Sequence, residues 1–316
     1  MKSIALKNLH AWTMVGILLV LALIPALTIL TGHIFYQDLF NRLMILAIAA
    51  LSLNLILGYG GMISFGHAAY LGIGAYCIGI PASYGIYSGL IHFPLAIASS
   101  AVFALLTGMV CLRTTGVYFI MITMAFAQML FFALVSLEAY GGDDGLVIEA
   151  RSEFGQFFNL EHPLALYYVT FVSLVICLYL LERLVGSRFG VVIAGAKSNE
   201  RRMRAIGFNT YPYRLICYVI SGAMCGFAGA LLGNFTFFIS PAMMDWTRSG
   251  ELIFMVVLGG TGSLFGPVLG SAVFLLLEEW LSATTIYWQF IFGVLLILVV
   301  LFVRGGIAGL LGPRSR

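Results

Sequence analysis

From Gly116 to Ser136 the chain runs a full helix length, GVYFIMITMAFAQMLFFALVS, without one charged residue. A run of roughly 17 to 25 apolar residues is long enough to cross a bilayer as an α-helix. A backbone surrounded by lipid must satisfy its own polar groups, which the helix does. Nine further stretches share this character, over 12–30, 42–57, 67–80, 94–111, 164–181, 214–235, 249–259, 267–280 and 286–303. Only 9% of the 316 residues are charged and 61% are hydrophobic, whereas soluble domains carry about a quarter charged residues. The expectation is an all-α integral membrane protein of about ten transmembrane helices, one polytopic domain over 1–316. The first apolar stretch is long and has no clean small-residue cleavage site after it, so it reads as a retained helix rather than a signal peptide.

Charge placement orients these spans, because Lys and Arg accumulate in cytoplasmic loops. With the N-terminus inside and ten alternating crossings, the inner side receives Lys2, Lys7, Arg113, Arg183, Arg188, Lys197, Arg201, Arg202, Arg204, Arg214, Arg304, Arg314 and Arg316, which is 13 of the 16 basic residues. The outer side receives Arg42, Arg151 and Arg248 with 11 of the 13 acids. Both termini are therefore expected in the cytoplasm, with soluble segments at 182–213 inside and 137–163 outside. The net charge of +3 needs no nucleic-acid partner, since basic loops meet anionic lipid or a cytoplasmic protein.

Several chemistries are disfavoured. None of the three lysines follows a glycine in the phosphate-binding pattern G-x-x-x-x-G-K-[ST], so the chain lacks that route to ATP hydrolysis. Five cysteines and five histidines are scattered without metal-ligand spacing. The spans keep nearly every charge at their ends, which weakens an ion-coupled secondary carrier, although sodium sites built from backbone carbonyls keep that alternative open. An integral-membrane enzyme lacks a convergent acid-base or metal constellation. No catalytic residue, metal site or cofactor of this chain's own is expected.

Two features remain to be explained. In "SNERRMRAIG", Ser198 or Asn199 can cap a short helix and Gly207 can stop it. Met203 and Ile206 lie three apart on one face, which suits docking on another protein; an ordinary basic loop is the alternative. The other feature is glycine. "LGYGGMISFGHAAYLGIGAY", Leu57 to Tyr76, and "LGGTGSLFGP", Leu258 to Pro267, crowd helix breakers into apolar sequence. Broken helix at membrane depth is tolerated where it is buried in protein or lines a wet cavity. Ser64 can accept a bond from an amide near Gly66 or His67, and Pro267 suits a first helical turn. Gly60, Gly61, Ser64, Gly66, His67, Gly259, Gly260, Gly262, Ser263, Gly266 and Pro267 are thus candidates for a translocation path, against the alternative of small-residue helix packing. The acidic "YGGDDGL" of the outer loop is a candidate docking surface for a soluble partner.

"LSLNLILGYGGMISFGHAAYLGIGAY", "GGDDGL", the segment from Ser198 into the next span, and "VLGGTGSLFGPVLGSAVF" occur in the order seen in the inner-membrane permeases of branched-chain amino acid ABC importers, and the chain resembles the LivM-type subunit over roughly 40 to 310. The resemblance implies a bacterial inner-membrane importer in which this chain pairs with a second homologous permease. Two ATPase subunits would carry ATP and Mg, and a periplasmic binding protein would deliver the substrate. It further implies that Glu200, Arg201, Arg202, Met203, Ala205, Ile206 and Gly207 form the ATPase-coupling helix. Urea, amides or aromatic acids are alternative substrates for this permease type.

Overall fold

The computed structural model describes residues 16–28, 34–154, 160–302 and 305–311. Its helices are α1 (Gly16–Thr28), α2 (Ile34–Asn54), α3 (His67–Ser83), α4 (Gly89–Cys111), α5 (Val117–Val135), α6 (Pro163–Val185), α7 (Arg188–Ala205), α8 (Thr210–Thr236), α9 (Trp246–Gly259), α10 (Gly266–Thr284), α11 (Trp288–Phe302) and α12 (Gly306–Leu311). Among the described residues six helices are long and apolar enough to cross a membrane: Phe35–Tyr59, α4, α5, α6, α8 and α10. Four of the expected spans are shorter, α1, α3, α9 and α11. The glycine-rich breaks are the reason at α3 and α9, which stop and start at them.

The helices at the centre are α2 and α8, which pack on each other, with α3 and α4 against α8 and α10 against α2. Close approach at the α8 seams depends on glycine. A Cβ on Gly74 of α3 would strike the Gly226 carbonyl, one on Gly229 the Leu71 carbonyl, and one on Gly226 the Ser100 hydroxyl of α4. Without a hydrophobic force between helices in lipid, such contact is what holds them together. α5 lies at the periphery, with most of its side chains turned away from the rest of the chain.

In the segment between α5 and α6, β1 (Leu146–Val147) pairs antiparallel with β2 (Phe238–Ile239), which follows α8. The loop before α6 is tied down further by Arg151, 8% exposed, whose Nε donates to the Asn234 carbonyl at 3.0 Å and whose Nη1 donates to the carbonyls of Leu160 and Glu161. The Asn234 Oδ1 accepts from the Ser152 amide at 2.8 Å. Asp143 and Asp144 stay exposed at the tip of this braced loop.

Three expectations change here. α6 continues to Val185, so Glu182 and Arg183 belong to it rather than to the inner loop. The inner segment also contains a longer helix, α7, than the two-turn one expected. Finally, Arg42, Glu251 and Glu278 lie inside α2, α9 and α10 rather than at span ends. Hydropathy drops at a charge, but a helix need not stop there, because its backbone bonds do not depend on the side chain.

Candidate functional site

The first break begins where α2 changes pitch. Leu55–Tyr59 form a π turn, closed by the Gly60 amide donating to the Leu55 carbonyl at 3.2 Å. Gly61 then takes φ +67°, a left-handed conformation that suits glycine. Ser64 Oγ accepts from the Gly66 amide at 3.2 Å, the local bond expected from the sequence, and α3 starts at His67. Two further amides near this start are taken by neighbouring helices: Phe65 donates to Thr123 Oγ1 of α5 at 3.2 Å and Ala68 to Ser249 Oγ of α9 at 2.9 Å. His67 Nε2 meets Ser221 Oγ of α8 at 2.8 Å, and that hydroxyl donates to the Ser52 carbonyl of α2 at 2.5 Å. Ser64 and His67 are both 0% exposed. Their partners enclose them within the subunit, because polar groups of a broken helix must find partners in the protein. Gly60 and Gly66 are buried beside them, while Gly61 is exposed at the rim.

The second break follows α9. Gly260 (φ +112°) and Gly262 (φ +79°) turn the chain, and Ser263 Oγ accepts from the Gly266 amide at 3.1 Å to open α10, with Pro267 in its first turn. Gly259, Gly260, Gly266 and Pro267 are buried, and Gly262 and Ser263 half-buried.

Asn54 brings the two breaks together. Its Nδ2 donates to the Ser263 carbonyl at 2.8 Å and its Oδ1 accepts from the Gly262 amide at 3.0 Å. Gly58 permits the approach, since a Cβ there would strike both Asn54 Oδ1 and the Gly262 amide. The sequence does carry a signal for Asn54, a lone amide in the apolar run LSLNLIL, but not the identity of its partner.

Helix α7 reaches the same place. Ser187 Oγ caps α7 through the Gly190 amide at 3.5 Å. At Asn199 the backbone leaves helical geometry (φ −160°, ψ 99°) and Oδ1 accepts from the Arg202 amide at 2.9 Å, so a second short helix begins there and ends at Gly207, φ +94°. The cap and stop read from "SNERRMRAIG" thus have their geometric counterparts. Just before the kink, Lys197 Nζ donates to the Gly58 carbonyl of the π turn at 2.5 Å. Glu200 is held by the chain itself, accepting from Arg204 at 2.6 Å, Thr210 at 2.9 Å and Arg214 at 3.3 Å. Burial pushes its carboxyl up, but the Thr210 hydroxyl and the two guanidiniums outweigh this and keep it below the ordinary carboxylate value. Met203 turns inward, its sulfur beside Gly195, so it does not share an outer face with Ile206; the kink folds the second piece back and causes the difference. Arg201, Arg202, Ala205 and Ile206, the last 64% exposed, form the free surface.

Residues 35–300 match the family model described as branched-chain amino acid transport system / permease component. The chain is 26% identical over 302 residues to the high-affinity branched-chain amino acid transport system permease protein LivM of Salmonella typhimurium, covering 88% of this chain and 71% of that protein. A probable LivM permease of Methanocaldococcus jannaschii is 25% identical over 275 residues, covering 73% of this chain and 76% of that protein. The LivH permease protein of Escherichia coli is 32% identical over 125 residues, 39% of this chain and 40% of that protein. No solved structure matches the chain.

Proposed function

Because the chain belongs to the family of branched-chain amino acid transport permease components, we propose that it is a membrane subunit of an ABC importer, forming part of the path for branched-chain amino acids. The family match across most of the chain carries this reading. The names of the relatives favour that substrate class over urea, amides and aromatic acids. Similarity to both LivM and LivH supports pairing with a second homologous permease. A periplasmic binding protein delivers the ligand, and two ATPase subunits carry ATP and Mg, so this chain makes and breaks no covalent bonds and needs no cofactor of its own.

The protein sits in the inner membrane with both termini cytoplasmic and about ten crossings. Contacts between segments support this alternation: Asn54 with Ser263, Lys197 with Gly58 and Tyr211 with Met109 group the inner connections, while Leu146 with Ile239 and Ser88 with Glu153 group the outer ones. In this scheme Glu200 to Gly207 meets an ATPase through Arg201, Arg202, Ala205 and Ile206, with Glu200 and Met203 holding the helix to its own subunit. ATP-driven movement of that helix reaches the path through Lys197, the π turn and Asn54, and the glycine-rich breaks are the parts of the path wall that yield.

The test is uptake of labelled leucine into proteoliposomes containing the complete complex. Uptake should require ATP, the binding protein and this chain; uptake driven by an ion gradient with this chain alone would overturn the reading. Ile206→Glu should leave assembly intact and abolish binding-protein-stimulated ATP turnover, and normal turnover would remove the short helix from the coupling role.

A further inference from the structure

Four charges lie along membrane helices toward their outer ends. At 1.5 Å per residue, Arg42 is about 12 Å into α2, Glu251 about 7 Å into α9, and Glu278 about 9 Å from the end of α10; Arg248 is in the first turn of α9. They form two pairs, Arg42 Nη2 of α2 with Glu278 Oε1 of α10 at 3.5 Å and, within α9, Arg248 Nη1 with Glu251 Oε2 at 2.8 Å. Glu278 is also within electrostatic reach of Arg248, Glu251 and its neighbour Glu279, so the two pairs are coupled.

These pairs are not the dry, bidentate clasp of a structural bridge. Each is a single contact, and the side chains stay between 21% and 47% exposed. The exposure opens into two adjoining cavities that share Glu251 as a wall. The larger, about 560 Å³, is bounded by Glu251 and Glu278 with the aromatic rings of Phe254, Trp288 and Phe292. That volume falls in the usual range of about 300 to 1,000 Å³ for small-molecule sites. The smaller, about 190 Å³, is bounded by Arg42 and Arg248 with Leu46, Leu252 and Met255. Acids and aromatic faces on one side favour a cation, and guanidiniums on the other favour a carboxylate. Ionisable residues within membrane helices commonly face such cavities and mark a substrate route.

We propose that Arg42, Arg248, Glu251 and Glu278 form a binding site for a zwitterionic amino acid crossing the membrane. The ligand's carboxylate faces Arg42 and Arg248, its ammonium faces Glu251 and Glu278, and an aliphatic side chain packs on Leu46, Leu252 and Met255. A zwitterion that opens a pair offers each released side chain an opposite charge of its own, so neither is left unpaired in a medium of low dielectric. A ligand with only one of the two charges leaves one of them unpaired. This site rests on the importer reading above and supplies the recognition that reading lacks.

The experiment uses the complete complex in proteoliposomes, with loaded binding protein at saturation, and measures leucine moved per ATP hydrolysed. Glu278→Gln and Arg42→Gln should each lower that ratio at least tenfold; ratios within twofold of the unaltered complex would overturn the site. The charge swap Arg42→Glu with Glu278→Arg restores a salt bridge but reverses the site's polarity, so transport should stay low, and full recovery would show the pair to be structural only. A third arm leaves all four charges in place. In Met243→Cys, at the wall of the smaller cavity, leucine should slow methanethiosulfonate labelling at least threefold, whereas 4-methylpentanoate and 3-methylbutylamine should not. Equal labelling with and without leucine would overturn the site even if the charge variants failed to assemble. Protection by leucine in a complex that moves none would instead sink the transport reading and leave the site standing.

Discussion

Both glycine-rich breaks end on a serine whose hydroxyl takes the amide of a glycine at the next helix start, Ser64 to Gly66 and Ser263 to Gly266, yet their attachments differ. The first is bonded to α5, α9 and α8 through Thr123, Ser249 and Ser221, and to α7 through Lys197. The second is held by Asn54 and lies against the turn before α12, where a Cβ on Gly306 would meet the Gly260 amide. Similar local sequence therefore yields one break tied to α7 and three other helices and another tied chiefly to Asn54. What assigns the roles is the surroundings, and a single amide side chain joins them.

The largest disruption should come from filling the space between the breaks. Gly58→Val places carbon where Asn54 Oδ1 and the Gly262 amide now sit, so transport should fall more than a hundredfold, with assembled subunit measured alongside uptake. Normal uptake would mean the two breaks work apart. Asn54→Leu keeps the bulk and removes both bonds. Hydrogen bonds between membrane helices contribute about 0.6 kcal/mol on average and up to about 1.7, so the loss is roughly 1 to 3 kcal/mol and uptake should drop about tenfold, with Asn54→Asp, which keeps only the acceptor, in between.

Lys197→Met preserves the stem and removes the ammonium that binds Gly58. Leucine moved per ATP should fall about threefold while assembly is unchanged; an unaltered ratio would detach the first break from the cytoplasmic helix. The smallest effect separates the two serines. Loss of a capping hydroxyl typically costs about 1 kcal/mol, and the cost is greater at the enclosed Ser64 than at the half-buried Ser263, where water can replace the hydroxyl as the amide's partner. Ser64→Ala should thus lower the unfolding midpoint in detergent more than Ser263→Ala does, and equal shifts would show that burial does not distinguish the breaks.

Much of this was legible where the determinant was local. The apolar runs, a cap at Ser198 or Asn199 with its Gly207 stop, and the Ser64 bond to an amide near Gly66 all depend on residues within a few positions of one another. Asn54 and Ser263 are 209 residues apart, and Lys197 and Gly58 are 139 apart; nothing beside either residue specifies its partner. Arg151 read as one more outer-loop charge, yet it donates to three carbonyls because the loop folds around it. The charges within α2, α9 and α10 escaped for another reason. Averaged hydropathy ends a span at a charge, whereas a helix continues through one that has a partner and a cavity to face.

The π turn at Leu55–Tyr59 closes its ring over one residue more than an α-helix does, and that residue is slack. Moving the turn by a single position along α2 would swing the intervening peptide by about 100° and advance it about 1.5 Å, without opening the helix to lipid. The Gly58 carbonyl in Lys197's grip lies within this slack, so a displacement of α7 has somewhere to go as a change of pitch in α2, like a clutch between the two helices.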